Sequence, residues 1–173
     1  MPLLPLRFYG DPVLSQKAQP IEKIEPRHHQ LAADMIETMY HEKGIGLAAN
    51  QIGSLERIFV IDPGVKKSPN LYTPQVFINP EILTFSVEDE PYTEGCLSIP
   101  EIESEVYRPS IITVRWTDLD GNTHTQQFND LAARVIQHEL DHLDGILFVD
   151  QIPEKARLKL AGRLNKLKQE KGA

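Results

Sequence analysis

Apolar residues recur at helical spacing in three parts of the chain. This periodicity predicts three helices, which we place at residues 26–42, 130–143 and 154–169. Pro26 is suited to the first turn of the first helix. Asn129 or Asp130 can cap the second helix, and Gly145 lies just past its end. The third helix follows Pro153.

Short runs rich in β-branched and aromatic residues lie between the first and second helices. They predict strands at residues 57–61, 75–78, 82–87, 103–107, 111–116 and 123–128. The turn-forming segment 118–122 separates the last two runs and indicates a hairpin. Because the strands gather in the middle of the chain and do not alternate with helices, we expect an α+β fold with mostly antiparallel sheets.

Length and composition predict one ordinary globular domain spanning residues 1–173. A single domain usually has roughly 100–200 residues, and this chain has no internal repeat. No apolar run approaches the roughly 18 residues that a membrane span requires, and no signal peptide is recognisable. Cys96 is the only cysteine, so an internal disulfide is excluded. We therefore expect a reducing compartment, the cytoplasm.

The net charge of −7 argues against binding of nucleic acid by the whole surface, but the charge is unevenly spread. Residues 153–173 contain seven basic and two acidic side chains, a local charge of +5. Their apolar residues form one row: Ala156, Leu160, Leu164 and Leu167. This pattern is typical of a docked amphipathic helix with a solvated charged face, and it also fits a surface that binds phosphates.

The most informative motif is an H-E-x-x-H sequence at residues 138–142, inside the second predicted helix. Four helical residues advance by about 400°, so His138 and His142 lie on one face and can share a metal ion. Glu139 lies one step round the helix, where it can exchange a proton with an activated water. Leu131 and Val135 continue the same face as an apolar row. Arg134 lies at the edge of this face, and the sequence leaves open whether it lines a pocket or turns to solvent.

Two histidines leave a catalytic metal site one protein ligand short. A third histidine at position 148 would complete a metzincin pattern, but that residue is Phe148. Glu154 and Glu170 are available, yet both lie in the basic terminal segment without a supporting motif. Cys96, within the segment EGCLSIP at 94–100, is the third candidate. A lone cysteine is usually a buried apolar residue, but beside an incomplete metal site we favour it as the ligand.

A glycine-rich segment, GIGLAANQIG at 44–53, follows the first predicted helix. It matches a loose dinucleotide fingerprint, but that fingerprint requires a strand before it and a helix after it. The plain structural interpretation is a helix end at which Gly44 or Gly46 adopts a left-handed conformation. The functional interpretation is a close approach of the backbone to a ligand, with the Gln51 amide as an uncharged donor.

Taken together and in this order, GIGLAANQ (44–51), EGCLS (94–98) and QHELDHLDG (137–145) resemble peptide deformylases. The resemblance extends to the flanking segments and spans nearly the whole chain. It implies a single catalytic domain with antiparallel sheets around a central HExxH-bearing helix, and with N-terminal and C-terminal helices. It also implies a metal-dependent hydrolase that removes the formyl group from the N-terminal formylmethionine of new polypeptides and releases formate.

The resemblance implies a role for each matching residue. Three match the metal ligands, with water at the fourth position: Cys96, His138 and His142. Glu139 matches the catalytic acid/base, while Gln51 and the backbone N–H of Leu97 match the pair that binds the formyl oxygen. We expect the substrate contacts to include Ile45, Gly46, Gly95, Leu131 and Val135.

Ligand chemistry and the family resemblance favour different metals. A set of two histidines and one cysteine suggests zinc on ligand preference alone. The resemblance implies ferrous iron, Fe2+, with Zn2+, Ni2+ or Co2+ as substitutes, and we favour iron. Some family members use a C-terminal helix to bind the ribosome, which gives the hypothesis that the basic helix at 154–169 holds the enzyme near ribosomal RNA; a docked helix with a solvated face is the alternative.

Two other functions compete with this interpretation. A metallopeptidase could use the same HExxH, although the missing metzincin histidine counts against it. A non-catalytic ribosome-binding factor could act through the basic terminal helix alone. The presence of Glu139, Cys96 and Gln51 together favours an active enzyme.

Overall fold

The computed structural model describes residues 3–172, and within them the α+β fold class is confirmed. The three predicted helices are present as α1 (Pro26–His41), α2 (Asp130–Leu143) and α3 (Glu154–Lys171). The seven strands of this part of the chain are β1 (Gly46–Ala48), β2 (Ile58–Ile61), β3 (Gln75–Phe85), β4 (Asp89–Cys96), β5 (Ile99–Pro109), β6 (Ile111–Thr117) and β7 (Thr123–Asn129).

All strand pairs are antiparallel. One sheet has five strands in the order β1-β2-β3-β6-β7, and β4 and β5 form a separate two-stranded hairpin. The expected hairpin between β6 and β7 is confirmed, and Gly121 adopts a φ of +85° in its turn. None of the helices among residues 3–172 combines the length and apolar character needed to cross a bilayer.

Strand β2 lies between two helices, which explains why all four of its residues are apolar and buried. Ile58 and Val60 belong to the cluster that contains Met35 and Met39 of α1. Phe59 and Ile61 point the other way and pack in the cluster of α2, because successive side chains of a strand alternate in direction. Helix α2 therefore lies on one face of the large sheet and α1 on the other.

Helix α3 packs against the β4–β5 hairpin through its predicted apolar row. Leu164 and Leu167 are buried with Ile99 and Ile102 of β5, and the rest of the row is partly buried in the same cluster. The basic side chains of α3 remain mostly exposed, as the amphipathic pattern predicts.

Two local expectations are wrong, and strand β4 was not predicted. The runs at 75–78 and 82–87 form one strand, β3, because Asn79 carries the chain through a register shift. Asn79 adopts a φ of +50°, and its side chain bonds both the N–H and the C=O of Ile21. The left-handed residue after α1 is Lys43, with a φ of +60°, and not a glycine. The first five residues of β4 are exposed and mostly polar, so its sequence lacks the apolar run that predicts a strand.

Candidate metal centre and substrate cavity

Helix α2 and strand β4 bring three metal-binding side chains together. The donor atoms of Cys96, His138 and His142 all lie within 4.8 Å of one another. The Sγ of Cys96 is 3.3 Å from Nε2 of His142. The helical spacing places the two imidazoles on one face, with ring centroids 4.9 Å apart. The chain therefore assembles a set of one sulfur and two nitrogen donors.

An irregularity in the hairpin positions Cys96. Glu94 pairs with Ser104, but Cys96 pairs with Ile99, so the register shifts between the two residues. Such irregularities often redirect a side chain next to an active site. The shift lets β4 end beside α2 with both Glu94 and Cys96 in contact with the helix side chains.

The carboxylate of Glu94 holds the first histidine. Nδ1 of His138 lies 2.9 Å from Oε1 of Glu94. Arg108 donates two further hydrogen bonds to this carboxylate, at 2.7 and 3.0 Å. Burial raises the pKa of Glu94, but the hydrogen bonds from His138 and Arg108 outweigh it and lower the pKa to about 2. Because an ionised carboxylate only accepts, Nδ1 carries the hydrogen and Nε2 faces the other donor atoms.

The second histidine lies deeper in the protein. His142 is almost fully buried, and it does not line the cavity described below. Burial and the neighbouring His138 hold the pKa of His142 well below its usual range. The imidazole is therefore neutral, which is the form that binds a metal.

Glu139 is a buried carboxyl group beside these donors. Its Oε1 is buried without a hydrogen-bond partner among the described residues. Burial raises its pKa to about 7, against the opposing effect of His138. A carboxyl group with a pKa near neutrality is well suited to accept and return a proton at physiological pH.

The side-chain amide nitrogen of Gln51 points toward the sulfur of Cys96. Gln51 lies in a short 3₁₀ turn after β1, where its Oε1 accepts a hydrogen bond from Ala48 N at 3.0 Å. This contact leaves Nε2 to donate to Ser98 Oγ at 3.1 Å and to Cys96 Sγ at 3.4 Å. Gln51 and Ser98 are both buried, so the orientation of the amide is fixed by the protein.

A cavity of about 790 Å³ opens beside these groups. Its walls include every substrate contact expected from the sequence: Ile45, Gly46, Gly95, Leu131 and Val135. Cys96, Leu97, His138, Glu139 and Gln51 line the same cavity. Arg134 also contributes to the wall and does not turn to solvent, being 8% exposed. The structure thus brings the predicted site residues to one cavity, with His142 just behind its wall.

The donor set fits a transition-metal ion. A thiolate and two imidazoles are ligands that Zn2+, Fe2+ and Co2+ accept. The hydrogen bond from His138 to Glu94 is the arrangement that fixes a ligating imidazole in proteins.

Several residues of the site could not be assigned from the sequence. Glu94 and Arg108 form a buried ion pair, which extends to the partly exposed Asp141, 2.7 Å from Arg108 Nη1. Ser98 holds the Gln51 amide. The one sequence signal for Glu94 was its place in the motif EGCLS, two residues before the candidate cysteine.

A helical HExxH motif whose histidines meet a cysteine beside a cavity defines a metal-dependent hydrolase. Comparison with known proteins narrows this class. The family model of polypeptide deformylase matches residues 3–158. The chain belongs to the peptide deformylase family, and it is a hydrolase that removes the formyl group from N-terminal formylmethionine and releases formate.

Individual members of the family resemble this chain in sequence and structure over most of its length. The chain is 43% identical to a peptide deformylase of Chlorobaculum parvum, over 96% of this chain and 89% of the relative. It superposes on the crystal structure of the Thermotoga maritima peptide deformylase with a TM-score of 0.83 and 42% identity, covering 88% of this chain and 99% of the other. A Synechococcus elongatus peptide deformylase in complex with actinonin gives a TM-score of 0.86 and 38% identity, covering 99% and 89%.

Proposed function

We propose that Cys96, His138 and His142 bind one divalent ion and that this ion is Fe2+. The observation that carries the proposal is the convergence of the three donor atoms within 4.8 Å, next to the buried Glu139. Ligand preference alone would favour Zn2+. The choice of Fe2+, with Zn2+, Ni2+ or Co2+ as substitutes, rests on the resemblance to the family.

In the proposed reaction, water attacks the formyl carbon, the bond from that carbon to nitrogen breaks, and formate leaves from a free amine. A bound divalent ion supplies Lewis acidity and an activated water at neutral pH. Glu139 accepts the proton of the attacking water and returns it to the leaving amine. Burial supports this role because it raises the pKa of Glu139 to about 7.

We assign the stabilisation of the formyl oxygen to two uncharged donors. The Gln51 amide nitrogen is already turned toward Cys96 by its contacts with Ala48 and Ser98. The backbone N–H of Leu97 follows the cysteine directly in the chain. Donors that are held in place before the reaction stabilise developing negative charge, and losing one typically lowers the rate by about 10²–10³.

The cavity walls indicate how the substrate binds. We assign the apolar side chains of Ile45, Leu131 and Val135 to the methionine side chain. Gly46 and Gly95 have no side chains to block an approaching peptide, so their backbones can lie against it. The substrate on this proposal is the N-formylmethionyl end of a nascent polypeptide.

We place the whole chain, residues 1–173, in one catalytic domain that acts in the cytoplasm, where formylated chains emerge. The exposed lysines of α3 provide a basic surface, which supports a ribosome as a partner. The remaining surface is acidic, so free DNA is not an expected partner.

The proposal is tested by metal analysis and product formation on the same sample. Anaerobically prepared protein should contain about one iron per chain and release formate from a formylmethionyl peptide. Cys96→Ser should retain less iron and lose activity in proportion. Full metal content in Cys96→Ser, or a zinc-loaded anaerobic sample with full activity and no iron, would contradict the ligand set or the choice of metal, respectively.

A further inference from the structure

Arg134 is a buried arginine that the reaction does not use directly. It lies on α2 one helical turn before His138, and it is 8% exposed. A buried guanidinium requires partners for its N–H groups, because removing a charge from water is costly unless it is paired. The identity of those partners therefore indicates what Arg134 holds in place.

The partners of Arg134 lie on both strands of the β4–β5 hairpin. Nη1 donates to Glu94 Oε2 at 2.7 Å and to the carbonyl oxygen of Val106 at 2.9 Å. Nη2 donates to the carbonyl oxygen of Glu90 at 2.6 Å. The guanidinium also lies 5.5 Å from the ring centroid of Tyr92, in the range of a cation–π contact. One helix side chain thus contacts β4 at Glu90, Tyr92 and Glu94, and β5 at Val106.

The metal donors are divided between the same two parts of the structure. Cys96 belongs to β4, whereas His138 and His142 belong to α2. Their mutual distances therefore depend on how firmly the hairpin is held against the helix. Glu94, which accepts from Arg134, also contacts Nδ1 of His138 and stands two residues before Cys96.

We infer that Arg134 is a positioning residue of the metal site, which clamps the β4–β5 hairpin to α2 and so sets Cys96 against His138 and His142. This inference rests on the ligand set proposed above. Arg108 holds the same carboxylate from β5, and in the described part of the chain its guanidinium bonds only the side chains of Glu94 and of Asp141 on α2. From the helix, Arg134 bonds the backbone of both hairpin strands, at Glu90 and Val106, whereas Gln137 bonds only the carbonyl oxygen of Pro109 at the end of β5.

The test uses the Co2+-loaded protein, because a cobalt–thiolate bond has its own absorption band. Arg134→Met keeps an unbranched side chain but removes the three hydrogen bonds. We expect Co2+ to pass to excess chelator about 10- to 100-fold faster than from the wild type, the usual range for losing a partner of a metal ligand. We also expect the cobalt–thiolate band to shift or weaken. Arg134→Lys keeps the positive charge but loses the paired guanidinium donors. Its rate of Co2+ release should lie between those of the wild type and Arg134→Met.

Arg115→Met is the matched control. Arg115 is half exposed and pairs with Glu81 on the surface of the large sheet, so its loss should leave release and spectrum unchanged. The inference is overturned if folded Arg134→Met releases Co2+ at the wild-type rate and keeps the wild-type cobalt–thiolate band. A change confined to KM would overturn it as well. If Arg134→Met does not fold, unchanged release in Arg134→Lys overturns it equally. Absence of a cobalt–thiolate band in the wild type would instead contradict the proposed ligand set.

Discussion

Gly46 lies directly against the carboxylate of Glu139. A Cβ placed on Gly46 would stand 2.9 Å from Cδ of Glu139 and would overlap its Oε2. Gly46 has an ordinary backbone conformation, so the requirement for glycine here is space and not a left-handed φ. Strand β1 and helix α2 can approach closely only because this side chain is missing.

Gly46→Ala should therefore displace Glu139 from the position in which we propose that it transfers the proton. A misplacement of about 1 Å can lower a rate about 10²-fold, so we expect kcat for formate release to fall at least 10-fold. Gly162→Ala is the control, since a Cβ there meets no atom within 4 Å, and in α3 it should stabilise the protein by about 1 kcal/mol. A folded Gly46→Ala variant with wild-type kcat would show that Glu139 tolerates the displacement.

Cys96 should be protected from alkylation by the metal. A thiolate that binds a metal is not free to attack a reagent, and Cys96 lines an open cavity that a small reagent can enter. We expect slow labelling of the loaded protein and at least 10-fold faster labelling after chelation, followed by mass spectrometry. Because the chain has only one cysteine, no other thiol contributes. Equal rates with and without metal would make Cys96 a packing residue.

Tyr40 should make stability depend on pH in the alkaline range. Its hydroxyl donates to Asp62 at 2.5 Å, and Asp62 N in turn bonds the carbonyl of Ile45 at the cavity. Burial and Asp62 raise the pKa of Tyr40 above its usual value near 10. A raised folded-state pKa gives stability that is complete below about pH 10 and is lost as the pH rises beyond it.

Tyr40→Phe should accordingly reduce the free energy of unfolding by about 1.5–3 kcal/mol at neutral pH, the usual range for a hydrogen bond to a charged group. The difference from wild type should narrow above about pH 10. Tyr107→Phe, at a position that is 60% exposed, should change little at any pH. Urea unfolding at pH 8 and pH 11 measures both. A wild-type advantage that persists undiminished at pH 11 would exclude the assigned role of Tyr40.

How far the sequence predicts the site depends on whether the contacts are local. His138, Glu139 and His142 follow from helical spacing alone, because four residues complete about one turn. Cys96 lies over 40 residues earlier, and only its neighbouring motif and the missing ligand indicated it. The contacts of Glu94 with Arg108 and Arg134 depend on strand register and on the packing of α2, which no local pattern records.

The errors in the fold have the same origin. Asn79 and Pro80 look like a loop, yet β3 continues through them, and the side chain of Asn79 hydrogen-bonds the N–H and C=O of Ile21. Strand β4 buries only one side chain, that of Glu94, so its sequence shows no alternation of apolar and polar residues. Tertiary hydrogen bonds decided both elements, in place of local propensity.

The basic surface of α3 should mediate binding to ribosomes. Lys155, Lys159 and Lys166 are exposed and lie outside the cavity, so replacing all three by Glu should weaken co-sedimentation without changing kcat on a free formylmethionyl dipeptide. The control replaces three other exposed lysines by Glu: Lys17, Lys23 and Lys67. Binding to phosphates should also fall steeply with salt. Equal losses in both variants, or salt-insensitive binding, would leave α3 as a docked helix with a solvated face.

The most direct test of the account is the Glu139→Gln variant, measured for metal and for turnover in the same preparation. Glu139 is not a ligand in the proposed site, so the variant should keep about one metal ion per chain. It has lost the group that carries the proton, so kcat for formate release should fall by at least about 10². Glu105→Gln, an exposed position on β5, should retain both properties. Near wild-type formate release from metal-loaded Glu139→Gln would contradict the proposed mechanism.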